Sequence, residues 1–230
     1  LIVPFDKMPF VCFFGTVDCL GRVDLSILSD QTIMELFVAN VNDVSNSFHE
    51  EDGDFLRIED WKGLTIENSK VRMIAFEGLK AKGSFEFRCL PLSARRISID
   101  SGSFSGTVPW NELNDFIEVL TLCKNRFNGT VDLAALPQAL FCLNLMENRF
   151  CGCLDFSRLP PDLVSLDLSM NCFEGSIDLR PIEKIICNVS FAHYFLQFDG
   201  HKPTENMDFA IELYENSFEG DILVRDLGKV

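Results

Sequence analysis

The sequence is poor in the residues that mark several common classes of protein. It contains only 2 Tyr, 2 Trp and 3 His, and its 20 Lys and Arg stand against 35 Asp and Glu, which gives a formal net charge of −15. Phosphate contacts require clustered Lys and Arg, so this charge argues against binding to nucleic acid or to an anionic membrane surface, and it permits a basic protein partner. No apolar run approaches the roughly 18 residues of a membrane span.

Motifs of catalysis and cofactor binding are also missing. We find no phosphate loop, no dinucleotide fingerprint and no His pair at the spacing of a helical metal site. The stretch GSFSG at 102–106 looks like a nucleophile elbow, but Phe104 stands where that motif has Ser. The acidic stretch 47–54 is typical of a solvated loop, with a metal site as the weaker alternative. We therefore expect no catalytic residues, no cofactor and no metal ion, and a protein that is not an enzyme.

The nine cysteines do not form a recognisable framework. They are odd in number and scattered, without a CxxC pair or a Cys/His zinc spacing. Most are interpreted as reduced, small apolar fillers, which slightly favours an intracellular protein. Sequons at Asn128 and Asn188 favour a surface or secreted protein instead. The chain begins at Leu1 without Met, so we expect a fragment, and the compartment stays open.

A strict period organises the sequence. Glycines occur at positions 83, 106, 129, 152 and 175, each 23 residues after the one before. The clearest unit contains, in order, Leu140, Leu143, Leu145, Asn148, Phe150, Gly152, Leu154 and Phe156. Adding or subtracting 23 finds residues of the same type at most of these positions. A sequence that repeats with a period of about 20 to 50 residues is typical of a solenoid protein.

The repeated string LxxLxLxxNxFxGxVDL resembles the leucine-rich repeat, especially the short repeats with a Pro-containing return limb of plant and protist proteins. The resemblance covers about residues 21–230 and is strongest from 90 to 180. It implies an α/β-type or mainly β solenoid, a right-handed superhelix with parallel strands on the concave face and a short irregular return limb. It implies no catalytic residues. Most units have Val-Asp, Leu-Asp or Ile-Asp where the plant-type repeat has Ile-Pro.

The residues that recur in each unit have structural roles that follow from their chemistry. Alternation such as Leu143-x-Leu145 predicts a short strand with one face inward, and stacked units bury what a single unit cannot. An Asn follows the strand and is expected to bond to turn backbone that has no sheet partner, at Asn125, Asn148, Asn171 and Asn216. A Phe two residues later is expected to join a buried spine, made of Phe104, Phe127, Phe150, Phe173 and Phe218.

Four Asp residues share one register: Asp24, Asp132, Asp155 and Asp178. The favoured interpretation is that each carboxylate caps backbone N–H groups at the start of the return limb. A calcium ladder is the alternative, but one Asp per unit is thin for an ion that takes 6–8 oxygens.

The period also gives the expected domain organisation. Residues 1–20 are an N-terminal cap or degenerate repeat, and residues 21–230 are one leucine-rich-repeat domain. Within that domain we expect degenerate units at 21–70 with an insertion at 42–54, regular units at 71–193, an insertion at 194–206, and a last, truncated repeat at 207–230. Ile33, Leu36 and Val38 are interpreted as part of a degenerate unit. The pattern continues through Ile186 and Val189, so the strands are expected to stack in chain order.

The residues that vary from one repeat unit to the next are the expected functional residues. Side chains between the strand leucines point outward on the concave face and vary from unit to unit, as in a protein-binding surface. The candidate partner-binding residues are Met73, Arg96, Ser98, Asp100, Thr121, Asn144, Met146, Asp167, Ser169, Ser190, His193, Glu212 and Tyr214, and the two insertions are candidate recognition loops. The leading hypothesis is a non-enzymatic scaffold or adaptor, such as a subunit of a larger assembly. The ectodomain of a cell-surface or secreted receptor is the alternative, and a structural spacer is the third hypothesis.

Overall fold

The computed structural model describes residues 25–43, 47–182, 186–190 and 209–223. One α-helix, α1 (Asp30–Val38), precedes a series of short strands. The strands are β1 (Val41–Asp43), β2 (Leu64–Glu67), β3 (Lys70–Ala75), β4 (Ala81–Gly83), β5 (Arg96–Ser98), β6 (Ser103–Gly106), β7 (Val119–Thr121), β8 (Arg126–Thr130), β9 (Cys142–Asn144), β10 (Arg149–Gly152), β11 (Ser165–Asp167), β12 (Cys172–Asp178), β13 (Ile186–Ser190), β14 (Phe209–Glu212) and β15 (Ser217–Leu223).

Each regular turn of the solenoid, which we call a coil, gives one strand to each of two sheets, as β9 and β10 show. The long sheet has the order β13-β14-β11-β9-β7-β5-β3-β2, and the short sheet has the order β1-β4-β6-β8-β10-β12-β15. Neighbouring coils pair in parallel, as between β7 and β9 and between β8 and β10. The prediction of a mainly β solenoid with parallel strands is confirmed.

An apolar row holds the long sheet together. The central residue of each strand pairs with its equivalent in the next coil and is almost fully buried, in the order Ile74, Ile97, Leu120, Leu143, Leu166 and Ile211. Complete burial of such a side chain contributes about 1.5–3 kcal/mol, and no single coil provides the neighbours to achieve it. The 23-residue period therefore reflects a core shared between coils.

Phe side chains fill the interior beneath the short sheet. Phe104, Phe127, Phe150 and Phe173 are fully buried, while Phe218 in the last coil is only partly buried. The rings meet side chains of the return limb, since Phe127 lies 5.9 Å from Phe87 and Phe150 lies 5.9 Å from Trp110 between centroids. That limb contains short 3-10 turns at Phe87–Cys89, Trp110–Glu112 and Leu133–Ala135.

A ladder of buried Asn side chains ties each coil to the one before it. Asn148 donates from Nδ2 to the carbonyls of Leu122 (2.8 Å) and Leu145 (3.1 Å), and its Oδ1 accepts from the Phe127 N–H (2.9 Å). Asn125, Asn171 and Asn216 make the equivalent bonds. The residue before each Asn has positive φ, as at Glu147 (56°), so a sharp turn places the amide inside the coil.

The strands at the C-terminal end do not stack in chain order. Strand β14 pairs with β11, and β13 lies beyond β14 at the edge of the long sheet. The expectation that the strand around Ile186 follows β11 is therefore wrong. The physical reason lies in the ladder: Asn216 donates to the Leu168 carbonyl at 3.0 Å and accepts from Phe173, whereas the unit containing β13 has Tyr194 at the Asn position.

The N-terminal end also differs from the repeat pattern. Residues 30–38 form α1, in place of the degenerate unit expected around Ile33. Ser29 caps this helix by accepting from the Thr32 N–H at 3.2 Å, and Gln31 donates to Glu35 at 2.7 Å one turn later. A Ser N-cap and an i,i+4 pair are local helix signals, and they prevail because the stretch lacks the Asn and Gly of a coil.

Two antiparallel strands close the N-terminal edges of the sheets. Strand β2 returns on β3 through a turn in which Asn68 and Ser69 have positive φ (51° and 59°), and β1 pairs antiparallel with β4. A hairpin at the end of a parallel sheet covers strand edges that would otherwise pair with another chain. The cap expected at 1–20 lies outside the described residues.

Candidate protein-interaction face

The outward side of the long sheet carries two rows of side chains in strict register, and we call it the outer face. The first row contains Met73, Arg96, Val119, Cys142, Ser165 and Ala210. The second row contains Ala75, Ser98, Thr121, Asn144, Asp167 and Glu212. Residue type changes at nearly every step along both rows, while the buried row between them stays Ile or Leu.

The N-terminal half of the outer face mixes polar and apolar side chains and is partly open to solvent. The Ser98 hydroxyl donates to Asp100 at 2.8 Å, and Asp100 accepts from the Cys123 N–H at 3.0 Å. Burial raises the pKa of Asp100 above its ordinary value, and the bond from Ser98 opposes that rise. Met73, Arg96 and Thr121 are half-buried around this group, so their side chains remain within reach of a partner.

Polar side chains at the ends of β9 and β11 hold the following turns. Asn144 accepts from the Met146 N–H at 2.9 Å, and Asp167 accepts from the Ser169 N–H at 3.1 Å. The Ser169 hydroxyl also donates to Asp167. One oxygen of each side chain is thus engaged by its own coil, which fixes the direction of the rest of the group.

Two carboxylates stand side by side at the C-terminal end of the face. Asp167 and Glu212 are Cα partners on β11 and β14. Glu212 is only 7% exposed, and its Oε2 has no hydrogen-bond partner in the part of the chain that the structure describes. Burial, followed by the charge of Asp167, raises the pKa of Glu212 to about 7. A buried acceptor without a donor beside a second carboxylate is a place where a cationic group is strongly favoured.

Apolar side chains surround this acidic pair. Tyr214 is buried, and its hydroxyl lies 3.5 Å from the Met146 sulfur, where it donates a weak bond. Cys142, Met146 and Ala210 are also buried on the same side of the sheet, and Ser169 is fully buried. The side chains around the charges in the C-terminal half of the outer face are therefore mostly apolar and buried, whereas the N-terminal half is partly open to solvent.

Two predicted partner-binding residues are not placed by side chain. Ser190 lies in β13 opposite Glu212, and only its backbone is described. His193, together with the insertion at 194–206, lies outside the described residues. The remaining eleven predicted residues, from Met73 to Tyr214, all lie on β3 to β14 or on the turns that follow these strands.

The acidic insertion is a small hairpin anchored on an aromatic cluster. Phe48 is fully buried, with its ring centroid 4.8 Å from that of Trp61, and the His49 backbone bridges to Phe55. The charged residues 50–54 lie exposed at the tip. No cluster of three or more metal-ligating side chains occurs among the described residues. The hairpin therefore presents negative charge on a rigid base.

An exposed apolar cluster that the sequence pattern did not predict lies beside the long sheet. Phe116 is 60% exposed, and the Arg95 guanidinium lies 4.9 Å from its ring centroid. Arg95 also donates to the Leu92 carbonyl at 3.0 Å, and Leu92 is exposed as well. The sequence does carry a signal for this cluster. The positions equivalent to Phe116 and Leu92 in the next unit hold Ala139 and Asp115, so these two large apolar side chains depart from the repeat pattern.

The Asp register lies away from the outer face. Asp132, Asp155 and Asp178 each accept, at about 3 Å, from the N–H two residues later. Asp24 lies outside the described residues. This geometry is that of a turn cap, as in the favoured interpretation.

The described cysteines fall into two groups. Cys142 is buried and Cys89 and Cys123 are half-buried, while Cys151, Cys153 and Cys172 are exposed. The exposed three are not buried fillers: Cys151 and Cys172 lie in β10 and β12 of the short sheet, and Cys153 follows β10 directly. No described helix is long and apolar enough to cross a membrane.

Several solved structures with a similar fold come from a plant. One is the complex of BIR3 and SERK2 from Arabidopsis thaliana, with 18% identity and a TM-score of 0.56 over 85% of this chain and 98% of that chain. Another is the leucine-rich-repeat ectodomain of the Arabidopsis receptor kinase SOBIR1, with 16% identity and a TM-score of 0.57 over 83% and 95%.

A third is the leucine-rich-repeat ectodomain of the Arabidopsis receptor kinase GASSHO1/SCHENGEN3 in complex with CASPARIAN STRIP INTEGRITY FACTOR 2, with 18% identity and a TM-score of 0.58 over 84% and 22%. No family model matches the sequence, and no curated protein matches it. The identities are too low to carry function, but the shared architecture is clear. The chain has the leucine-rich-repeat fold.

Proposed function

We propose that this protein is a non-enzymatic interaction module that binds another protein through the outer face. The observation that carries the proposal is the register of the long sheet. The row that contains Leu120 and Leu143 is uniform and buried, whereas the rows on either side of it vary in charge, size and polarity from coil to coil. A rigid frame with variable outward positions is the arrangement by which repeat proteins recognise partners.

The similar structures support this proposal at the level of the fold. Two of the three are complexes, one of BIR3 with SERK2 and one of GASSHO1/SCHENGEN3 with CASPARIAN STRIP INTEGRITY FACTOR 2. The same fold in those proteins therefore takes part in binding. Within this chain, the finer assignment is a scaffold or adaptor whose contact includes the half-buried residues around Thr121.

The chemistry of the acidic pair indicates the charge of the partner. Asp167 and Glu212 adjoin each other, and the Glu212 Oε2 lacks a donor among the described residues. A Lys or Arg side chain of the partner would pair with the half-buried Asp167, which is the more accessible member of the acidic pair. The net charge of −15 favours approach of the same kind of partner over longer distances.

The test compares two matched substitutions. Thr121→Arg places a long charged side chain in the middle of the outer face, and Ser103→Arg places the same side chain on an exposed site of the short sheet. We expect affinity capture from native extract, read by quantitative mass spectrometry, to lose its specific proteins with Thr121→Arg and to keep them with Ser103→Arg. Equal capture by both variants, with circular dichroism showing both folded, would contradict the proposal.

A receptor ectodomain is the second candidate. It is favoured by the coverage of the SOBIR1 ectodomain, 95% of which aligns with this chain, and by the exposed side chain of Asn128 in its sequon. Free-thiol titration and glycan analysis of the native protein separate the two candidates. Reduced cysteines and an unmodified Asn128 favour the scaffold, and a glycan at Asn128 favours the ectodomain.

A further inference from the structure

Two exposed cysteines occupy paired positions on neighbouring coils of the short sheet. The Cα of Cys151 in β10 lies opposite the Cα of Cys172 in β12. Neighbouring strands of a sheet are about 4.7–4.9 Å apart. Disulfide-bonded cysteines have Cα atoms roughly 4.4–6.8 Å apart, so the backbone separation already suits a bond.

The two side chains also point to the same side. Phe150 and Phe173, each adjacent in sequence to one of the cysteines, are buried in the core. Because side chains alternate along a strand, Cys151 and Cys172 point outward, and both are exposed. The thiols are therefore neighbours, and a small molecule in solution can reach them.

We propose that Cys151 and Cys172 form a thiol–disulfide exchange site that covalently links two neighbouring coils when a low-molecular-weight disulfide oxidises them. The thiolate of one cysteine attacks a sulfur of the small disulfide, which forms a mixed disulfide and expels one small thiol. The second cysteine then attacks the protein sulfur of the mixed disulfide and expels the other small thiol. The protein gives up two protons and two electrons, and the small disulfide becomes two thiols.

The other described cysteines are poor competitors. Burial raises the pKa of Cys142 to about 11 and that of Cys123 to about 12, so both remain protonated, and the thiolate is the nucleophile. The exposed Cys153 lies against the next coil, since a methyl group on Gly175 would meet its sulfur at 2.8 Å. Cys153 therefore serves as the matched control on the same surface.

The bond would have a mechanical consequence. It joins β10 to β12 and closes the segment 152–171, which includes β11 of the long sheet. A loop of this length loses much of its freedom in the unfolded chain, so the oxidised protein should melt roughly 5–10 °C higher than the reduced protein. Small-molecule thiols would reverse the change.

The test uses the folded chain and oxidised glutathione as the probe. After incubation, free thiols are alkylated without reduction, and the protein is digested with trypsin. Cleavage after Arg149, Arg158 and Lys184 places Cys151 and Cys153 in one peptide and Cys172 in another. We expect these two peptides to be joined, with the loss of two hydrogen atoms, and to separate on reduction.

Three variants decide which sulfurs react. Cys153→Ser should leave the joined peptides and the rise in melting temperature unchanged, whereas Cys151→Ser and Cys172→Ser should abolish both. A bond within the peptide that contains Cys151 and Cys153 would overturn the proposal, and so would glutathione adducts without a joined pair. Fragment ions of the joined wild-type peptides that break the backbone between Cys151 and Cys153 give this answer even if a variant folds poorly.

Discussion

The middle and last described coils have the same repeat residues, but the surroundings of these residues differ. The middle coil, residues 142–152, lies between neighbours on both sides, and its Asn148 and Phe150 are buried. The last coil, residues 209–223, makes the same Asn bonds through Asn216, yet Phe218 is only partly buried and Ile222 is exposed. The comparison shows that the hydrogen bonds of the Asn ladder need only the coil and the one before it. Burial of the Phe side chain needs a neighbouring strand on each side of the short sheet.

The largest expected effect separates the two Phe positions. Phe150→Ala should lower the free energy of unfolding by about 3–5 kcal/mol, because it opens a cavity where the side chain is fully buried. Phe218→Ala should cost clearly less, since the ring is only partly buried and lies in β15, the edge strand of the described short sheet. Urea unfolding of both variants measures the difference. Equal losses would show that the last coil is as tightly packed as the middle one.

The next effect concerns the Asn ladder. Asn148→Ala should cost about 1–3 kcal/mol, because it leaves backbone groups such as the Leu122 carbonyl and the Phe127 N–H without partners inside the protein. Asn216→Ala should cost less globally and should increase hydrogen exchange in β14 and β15. Asn128→Ala, an exposed position in β8, is the control and should change the melting temperature little. A melting temperature of Asn148→Ala equal to wild type would contradict the role of the ladder.

A pH-dependent effect should belong to the last coil. The pKa of Glu212 is raised from 4.5 to about 7 by burial and by the charge of Asp167, so the folded state holds this proton more tightly than the unfolded state. The stabilising contribution is complete below about pH 4.5 and is lost as the pH rises through about 7. Melting temperatures of wild type and Glu212→Gln from pH 4 to 8 should diverge over this window. The exposed Glu215→Gln should follow wild type.

The smallest effect is expected at the surface of the neighbouring coil. A bidentate contact with Arg180, at 2.8 and 2.7 Å, lowers the pKa of Asp178 from 3.8 to about 2. Its contribution to stability is therefore present above about pH 3.8 and is lost as the pH falls through about 2. Because both groups are exposed, Arg180→Ala should change the melting temperature little at neutral pH. It should raise the carboxyl titration midpoint of Asp178, as measured by NMR.

The fold was predictable because each repeat unit is a separate copy of the same structural pattern. The fixed spacing of Gly129, Gly152 and their equivalents set the coil length, and the alternation around Leu143 set the strand. The outward rows followed from the same spacing. Helix α1 was missed, although Ser29 and the Gln31–Glu35 pair were visible, because the apolar residues around Ile33 also fit a strand at the repeat spacing.

The candidate site was predictable only in part. Spacing alone places Asp167 and Glu212 on one face, but it does not make them neighbours. In the chain they are separated by a unit that contains β13, and their pairing depends on β14 lying next to β11. The burial of Glu212 and the exposure of Phe116 likewise depend on which side chains surround them in space.

The sequence by itself determined the period, the coil, and the division between repeated frame residues and variable outward residues, because each of these depends on contacts between equivalent positions of similar units. Only the tertiary structure decided the order of the last strands, the closed acidic pair at Glu212 and the thiol pair at Cys151 and Cys172. These features arise where non-equivalent positions of different units contact each other. The bond from Asn216 to the Leu168 carbonyl, for example, joins two coils that are separated in the chain by another unit, and spacing along the chain does not encode that contact.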